Sequence, residues 1–455
     1  MLALEVGPRL IILRVVLIPL HAFGARYDLP APLYLFLIGA GAVVFISFLL
    51  VLQRPVTREL PTGDDVPPVP KVPGWPGWLM FVVAVVMILG GLFGTPSTPD
   101  NIVVTAFWLV FWIAVPISVA IVGNYWPYIS PLNVAARLVG TEARLPWPRW
   151  LGYWPATILF FLFACGELVF NGVTTTPTGT AQVMLAYGIV NAVMAYLFGA
   201  ETWLRRGEVF SVLFATWGRL GYFRVGAPGL RGFFGGLRRP FEPSVSRLTF
   251  VLMLLVSVSF DGLLATPVWK NLVSGLPASL RPGAAGYTVL LVLVFAAMVL
   301  LIWAVFAAFA AAVRAVGHLD EPLINVIAGL IPSLVPIAFG YLLAHNFDYL
   351  AINGQLLIHQ ASDPFGMGLN IFGTVEYEPN RNLIPTAFVW YFEIVLIIGV
   401  HIAAVVLAHS YLGRVARTEQ QGRRAEWPWI AAMVGYTMTS LWLLAQPIVQ
   451  EGVKG

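Results

Sequence analysis

Apolar residues run along this chain in long unbroken stretches, without the alternation of a soluble strand or the one-sided stripe of a soluble helix. A helix needs about 20 apolar residues to cross a hydrocarbon layer of roughly 30 Å. That length predicts ten spans, at 32–53, 77–95, 102–123, 153–172, 181–200, 247–266, 285–313, 322–345, 384–412 and 428–447. A shorter stretch, Leu10 to Leu20, is interrupted by Arg14 and preceded by Arg9. It reads as a signal-like core or an interfacial helix. Residues 1–31 therefore stand apart from one bundle at 32–447, with 448–455 as a short tail.

The composition supports the same class. Of 455 residues, 59% are hydrophobic and 11% charged, and the mean hydropathy is +0.83. The expectation is an all-α, polytopic integral membrane helix bundle whose solvent is the lipid bilayer. A net charge of +4 raises the question of nucleic acid, but no recognition motif occurs, and no nucleic-acid partner is expected. The only cysteine, Cys165, lies in an apolar run. It excludes an intrachain disulfide and a cysteine-based metal cluster.

The basic residues fall between spans and set an orientation. Connections after spans 1, 3, 5, 7 and 9 hold Arg54, Arg58 and Lys71, then Arg137, Arg144 and Arg149, then eight arginines from Arg205 to Arg247, then Arg314, and finally Arg414, Arg417, Arg423 and Arg424. Residues 96–101 and 172–180 hold none, and 346–382 has Arg381 against Asp348, Asp363, Glu376 and Glu378. Lys270 and Arg281 are the exception. The positive-inside rule then predicts a multi-pass membrane protein with its C-terminus outside.

Two connections are long enough to have structure. In 201–246, Val209, Phe210, Leu213, Phe214 and Trp217 recur at helical spacing beside arginines, the pattern of a helix lying in the headgroup interface. The external loop 346–382 mixes apolar residues with His359, Asp348, Asp363 and glycines, and could dip into the outer leaflet or cover a cavity. Ser130 followed by Pro131 predicts the start of a short helix.

Candidate chemistry lies where lipid disfavours it. Glu167, Asp261, His345 and Glu393 fall in the outer halves of spans 4, 6, 8 and 9. An acidic residue at that depth costs about 3 kcal/mol on insertion scales, so it turns into the bundle or a wet cavity and finds a partner. Four such groups at one depth suit a cation, a proton path or a divalent metal. The alternative is that each is protonated or bonds a helix end and only fixes packing. In span 8, Pro332 and Pro336 should free carbonyls near 328–332. His401 and His409 are eight residues apart, about 12 Å along a helix, and cannot share an ion.

Four segments carry a resemblance: HAFGARYDLPAPLYLFLIGAGAVVFISF, VSFDGLLATPVW, IAGLIPSLVPIAFGYLLAHNF and the 344–380 loop. Together they resemble a family of bacterial polytopic membrane proteins often called fenitrothion hydrolases. The resemblance implies an organophosphate-type hydrolase, and it matches His21 to a histidine that follows a signal-like segment in such relatives. A metal-dependent hydrolase needs converging ligands with an open position for water. No H-x-H, H-E-x-x-H, C-x-x-C or G-x-S-x-G pattern is present. A metal would have to come from scattered residues such as His21, His359, Asp348 and Asp363, with copper at a terminal His21 as one form. Three functions follow as expectations: a permease or cation-handling protein for a small solute, a metal-dependent membrane hydrolase, and a non-catalytic subunit with membrane complex partners.

Overall fold

The computed structural model describes residues 33–51, 69–140 and 142–452. His21 and the signal-like segment 1–31 lie outside the described residues, as do 453–455 of the expected tail. Among the described residues the fold is helical, and the one extended pairing is an isolated bridge between Phe223 and Leu230.

In chain order the helices are α1 (Leu33–Val51), α2 (Trp75–Phe93), α3 (Ile102–Val122), α4 (Pro131–Val139), α5 (Trp154–Leu168), α6 (Pro177–Phe198), α7 (Ala200–Arg206), α8 (Val209–Trp217), α9 (Val245–Ala265), α10 (Pro267–Ser274), α11 (Ala285–Val316), α12 (Leu323–Asn353), α13 (Leu356–Ser362), α14 (Thr386–Val415) and α15 (Glu419–Gly452). Seven of them, α2, α3, α6, α9, α11, α12 and α14, are long and apolar enough to cross a membrane. That is fewer than the ten expected. The other three expected spans coincide with α1, of 19 residues, α5, of 15 residues or about 22 Å of rise, and α15, of 34 residues, whose first turns hold Glu419, Arg423, Arg424 and Glu426 ahead of the span expected at 428–447.

The starts follow local rules. Ser130, Thr176, Ser244 and Thr266 each accept a backbone N–H from the first turn of the helix they precede. Pro131, Pro177 and Pro267 stand at first helical positions, where no donor is needed.

Two spans are irregular, and both matter for the site. In α3, residues Thr105–Ala114 form a π-helix, a conformation concentrated at functional sites. In α12, Ile331–Leu334 tighten to a 3-10 turn at the predicted proline break. Pro332 has no N–H for the Ala328 carbonyl, and the Phe241 N–H takes it at 3.0 Å. The freed carbonyl is thus used by the fold itself.

The helix expected to float in the interface within 201–246 is placed differently. After α6 the chain turns at Gly199, with φ +78°, and runs back along α6. The Trp203 Nε1–H donates to Asn191 at 2.9 Å and the Tyr187 hydroxyl to Glu208 at 2.5 Å. Tyr187 stands eleven residues from the end of α6, about 16 Å, so α7 and α8 form a re-entrant hairpin that reaches halfway up that helix. Phe210 and Phe214 enter an aromatic cluster with Phe111, Trp126 and Phe163, at centroid distances of 4.7 to 6.0 Å. The apolar face that sequence alone assigns to lipid meets protein rings instead.

The 346–382 loop is also more ordered than its glycines suggest. α12 continues to Asn353, where Gly354 caps it. Beyond α13, the loop is tied to the start of α3 by Ile102 N–H to Pro364 O at 2.8 Å and to the end of α2 by Thr95 N–H to Phe365 O at 2.9 Å. Phe365 lies against Gly90 and Gly94, where a Cβ would collide with the ring or its backbone.

A membrane-embedded carboxylate cavity

Three of the four expected intramembrane residues line one cavity of about 120 Å³. A single water needs about 10–15 Å³, so the space suits several waters or a small solute. Each polar group comes from a different helix. α5 ends at Leu168 and sets Glu167 in its last turn, α9 sets Asp261 one turn before its end, and α12 carries His345 past the proline break. The far ends of α5 and α9 thus meet the second half of α12.

The His345 Nε2 lies 3.4 Å from Asp261 Oδ2, and each side chain is about one-fifth exposed. Glu167 accepts a hydrogen bond from the Trp112 Nε1–H at 2.7 Å, and its carboxylate is an electrostatic neighbour of Asp261. Along α12 the cavity wall is Ala338, Leu342, His345, Asn346 and Tyr349, the i, i+4, i+7 pattern of one helix face. On the π-helix side it is Trp108, Trp112 and Ile113, followed by Pro116. Trp108 is fixed by an Nε1–H bond to Thr180 at 3.1 Å and stacks on Phe163 at 5.4 Å. The floor holds Leu213 and Trp217 of the re-entrant helix.

Glu393 does not line this cavity. It sits two turns into α14, and its electrostatic neighbour is Asp348. Two of the positions proposed for a metal, His359 and Asp363, have partners of their own. His359 places Nδ1 against the Val375 carbonyl and Nε2 3.5 Å from Asp100. Both oxygens of Asp363 accept loop N–H groups, from Met367 at 2.8 Å and Gly368 at 2.7 Å. Among the described residues no group of three or more His, Cys, Asp or Glu could hold a metal ion. His359 and Asp363 are thus not gathered with other ligands into a divalent site, and His21, on which the copper form depends, lies outside the described residues.

Two buried acidic residues escaped the sequence reading. Glu208 is fully buried at the tip of the hairpin and caps α8, accepting N–H bonds from Phe210 at 2.9 Å and Ser211 at 2.7 Å. Glu426 is paired with His409 at 2.9 Å. That pair was readable as a hairpin: His409 lies seven residues before the turn at 416–418 and Glu426 eight after it, so antiparallel α14 and α15 bring them nearly level. His401 lies elsewhere, its Nδ1 against the Ile397 carbonyl of its own helix.

No family model, curated protein or solved structure matches the chain.

Proposed function

We propose that the protein is a membrane permease for a small cation, bound between Glu167, Asp261 and His345, and that the preferred cation is an organic ammonium. The observation that carries this reading is the meeting of two carboxylates and an imidazole from three distant segments in one cavity. Groups that serve only to fasten helices have no need of a shared open space.

The rest of the lining favours an ammonium over a hydrated metal ion. Trp108, Trp112, Phe160, Trp217 and Tyr349 border the same volume, and aromatic rings attract alkylammonium groups by cation–π interaction while making no strong bond to Mg²⁺ or Ca²⁺. One carboxylate can balance the charge of the guest, and the His345–Asp261 pair offers a place to hold or release a proton as the guest enters. The hydrolase reading lacks a gathered ligand set among the described residues, so no hydrolytic step is derived.

The test is uptake of radiolabelled methylammonium into proteoliposomes. Uptake above that of empty vesicles, lost in Asp261→Asn and Glu167→Gln, is the expected result. Equal uptake by the wild type and both variants would rule the reading out.

A further inference from the structure

The re-entrant helix α8 has two occupied faces. Leu213 and Trp217 form the floor of the carboxylate cavity. Ser211 and Ala215 line a second, smaller pocket of about 30 Å³, together with Asn124, Ser130, Asn133 and Arg205. Positions two apart on a helix point about 200° away from each other, so these pairs lie on opposite sides. Ser211 and Ala215 are also the only residues of α8 that are not buried.

The second pocket is built for a polar occupant. Asn124, a lining residue, is 7% exposed, and its buried Oδ1 has no hydrogen-bond partner. A buried acceptor left without a donor costs about 1–3 kcal/mol, and a pocket of this size admits about two waters. Arg205, ion-paired with Glu201 at 3.3 Å, stands half-exposed among the lining residues. The pocket lies at the basic end of the bundle, where Phe223 N–H bonds the Val122 carbonyl at the end of α3.

We propose that this pocket is a second, water-filled binding site that opens on the basic face of the membrane, and that α8 is the partition between it and the carboxylate cavity. The inference deepens the permease reading and rests on it: the two pockets become the two ends of one route, with one helix between them. Asn124, Ser130 and Asn133 give that second end a polar lining. Glycines flank the partition, with Gly207 before α8 and Gly218 directly after it.

Cys165 is the chain's only cysteine, so Cys165→Ala gives a background for single-thiol labelling. Ser211→Cys, Ala215→Cys, Leu213→Cys and Ser257→Cys would be made in it, and each treated in oriented proteoliposomes with a charged, membrane-impermeant methanethiosulfonate. Denatured labelling confirms one thiol per chain, and gel filtration confirms folding. The expected result is that Ser211→Cys and Ala215→Cys react only from the basic face, and Leu213→Cys and Ser257→Cys only from the other, with at least a tenfold rate difference between sides. Ser211→Cys and Ala215→Cys reacting from neither side, or from the same side as Ser257→Cys, would overturn the second pocket and leave the permease reading standing. Ser257→Cys and Leu213→Cys unreactive from the far side would instead remove the open cavity and the permease reading with it.

Discussion

The hairpin tip and the carboxylate cavity both place acidic side chains at membrane depth, yet they are built in opposite ways. At the tip, Glu208 is fully buried and surrounded by donors: the Tyr187 hydroxyl and the N–H groups of Phe210 and Ser211. Tyr187 in turn accepts the Val209 N–H at 3.2 Å. These bonds serve the start of α8, whose N–H groups would otherwise face an apolar interior without water. In the cavity, Glu167, Asp261 and His345 border open space and keep partial exposure. A charged residue within a membrane is therefore not by itself a sign of function. What separates the two regions is whether the polar atoms are saturated by the fold or turned toward a volume that a guest can enter.

Substitutions can break that contrast. The largest effect is expected at the tip: Glu208→Ala strands two N–H groups of α8 and, at about 1–3 kcal/mol for each, should lower stability by about 2–6 kcal/mol, seen as a large drop in melting temperature in detergent. Glu208→Gln keeps an acceptor and should fall between the alanine variant and the wild type. Tyr187→Phe removes one donor and one acceptor from the same network and should cost about 1–3 kcal/mol, on the same melting curve. Asp261→Asn should stay within about 1 kcal/mol of the wild type, while methylammonium uptake falls at least tenfold. If Asp261→Asn proved as destabilising as Glu208→Ala, the cavity would be a packing device like the tip. The smallest effect belongs to Glu393→Gln, because Glu393 lies off the cavity wall. Its uptake should remain within about twofold of the wild type, less than 0.5 kcal/mol in binding terms.

Much of this contrast could be read from the residues, and the parts that could not have physical reasons. Hydropathy located the helices because burial in lipid is recorded as long apolar runs, although α5, at 15 residues, is shorter than the run at 153–172 that marks it. Depth counting along spans brought Glu167, Asp261 and His345 to one level. It could not tell which helices adjoin, so Glu393, at the same level, was grouped with them while the fold sets it beside Asp348. The re-entrant hairpin was hidden because the stripe of Val209, Phe210, Leu213, Phe214 and Trp217 suits lipid and protein rings equally well. The signals that mark it are Gly199 directly after a span and Glu208 at an N-cap position. Trp112 was missed as a partner of Glu167 because indoles are common at every depth of such a bundle, and only the π-helix aims this one inward.

The most direct measurement is the melting temperature of the purified protein titrated with methylammonium and tetramethylammonium, beside Mg²⁺ and Cu²⁺, for the wild type and for Asp261→Asn with Glu167→Gln. A ligand at a hundred times its Kd adds about 2.7 kcal/mol, a shift of several degrees. Such a shift is expected for an ammonium with the wild type, with its loss in the double variant and little response to the metals. A wild type that ignores both ammonium ions, or a double variant that responds as strongly as the wild type, would contradict the permease reading.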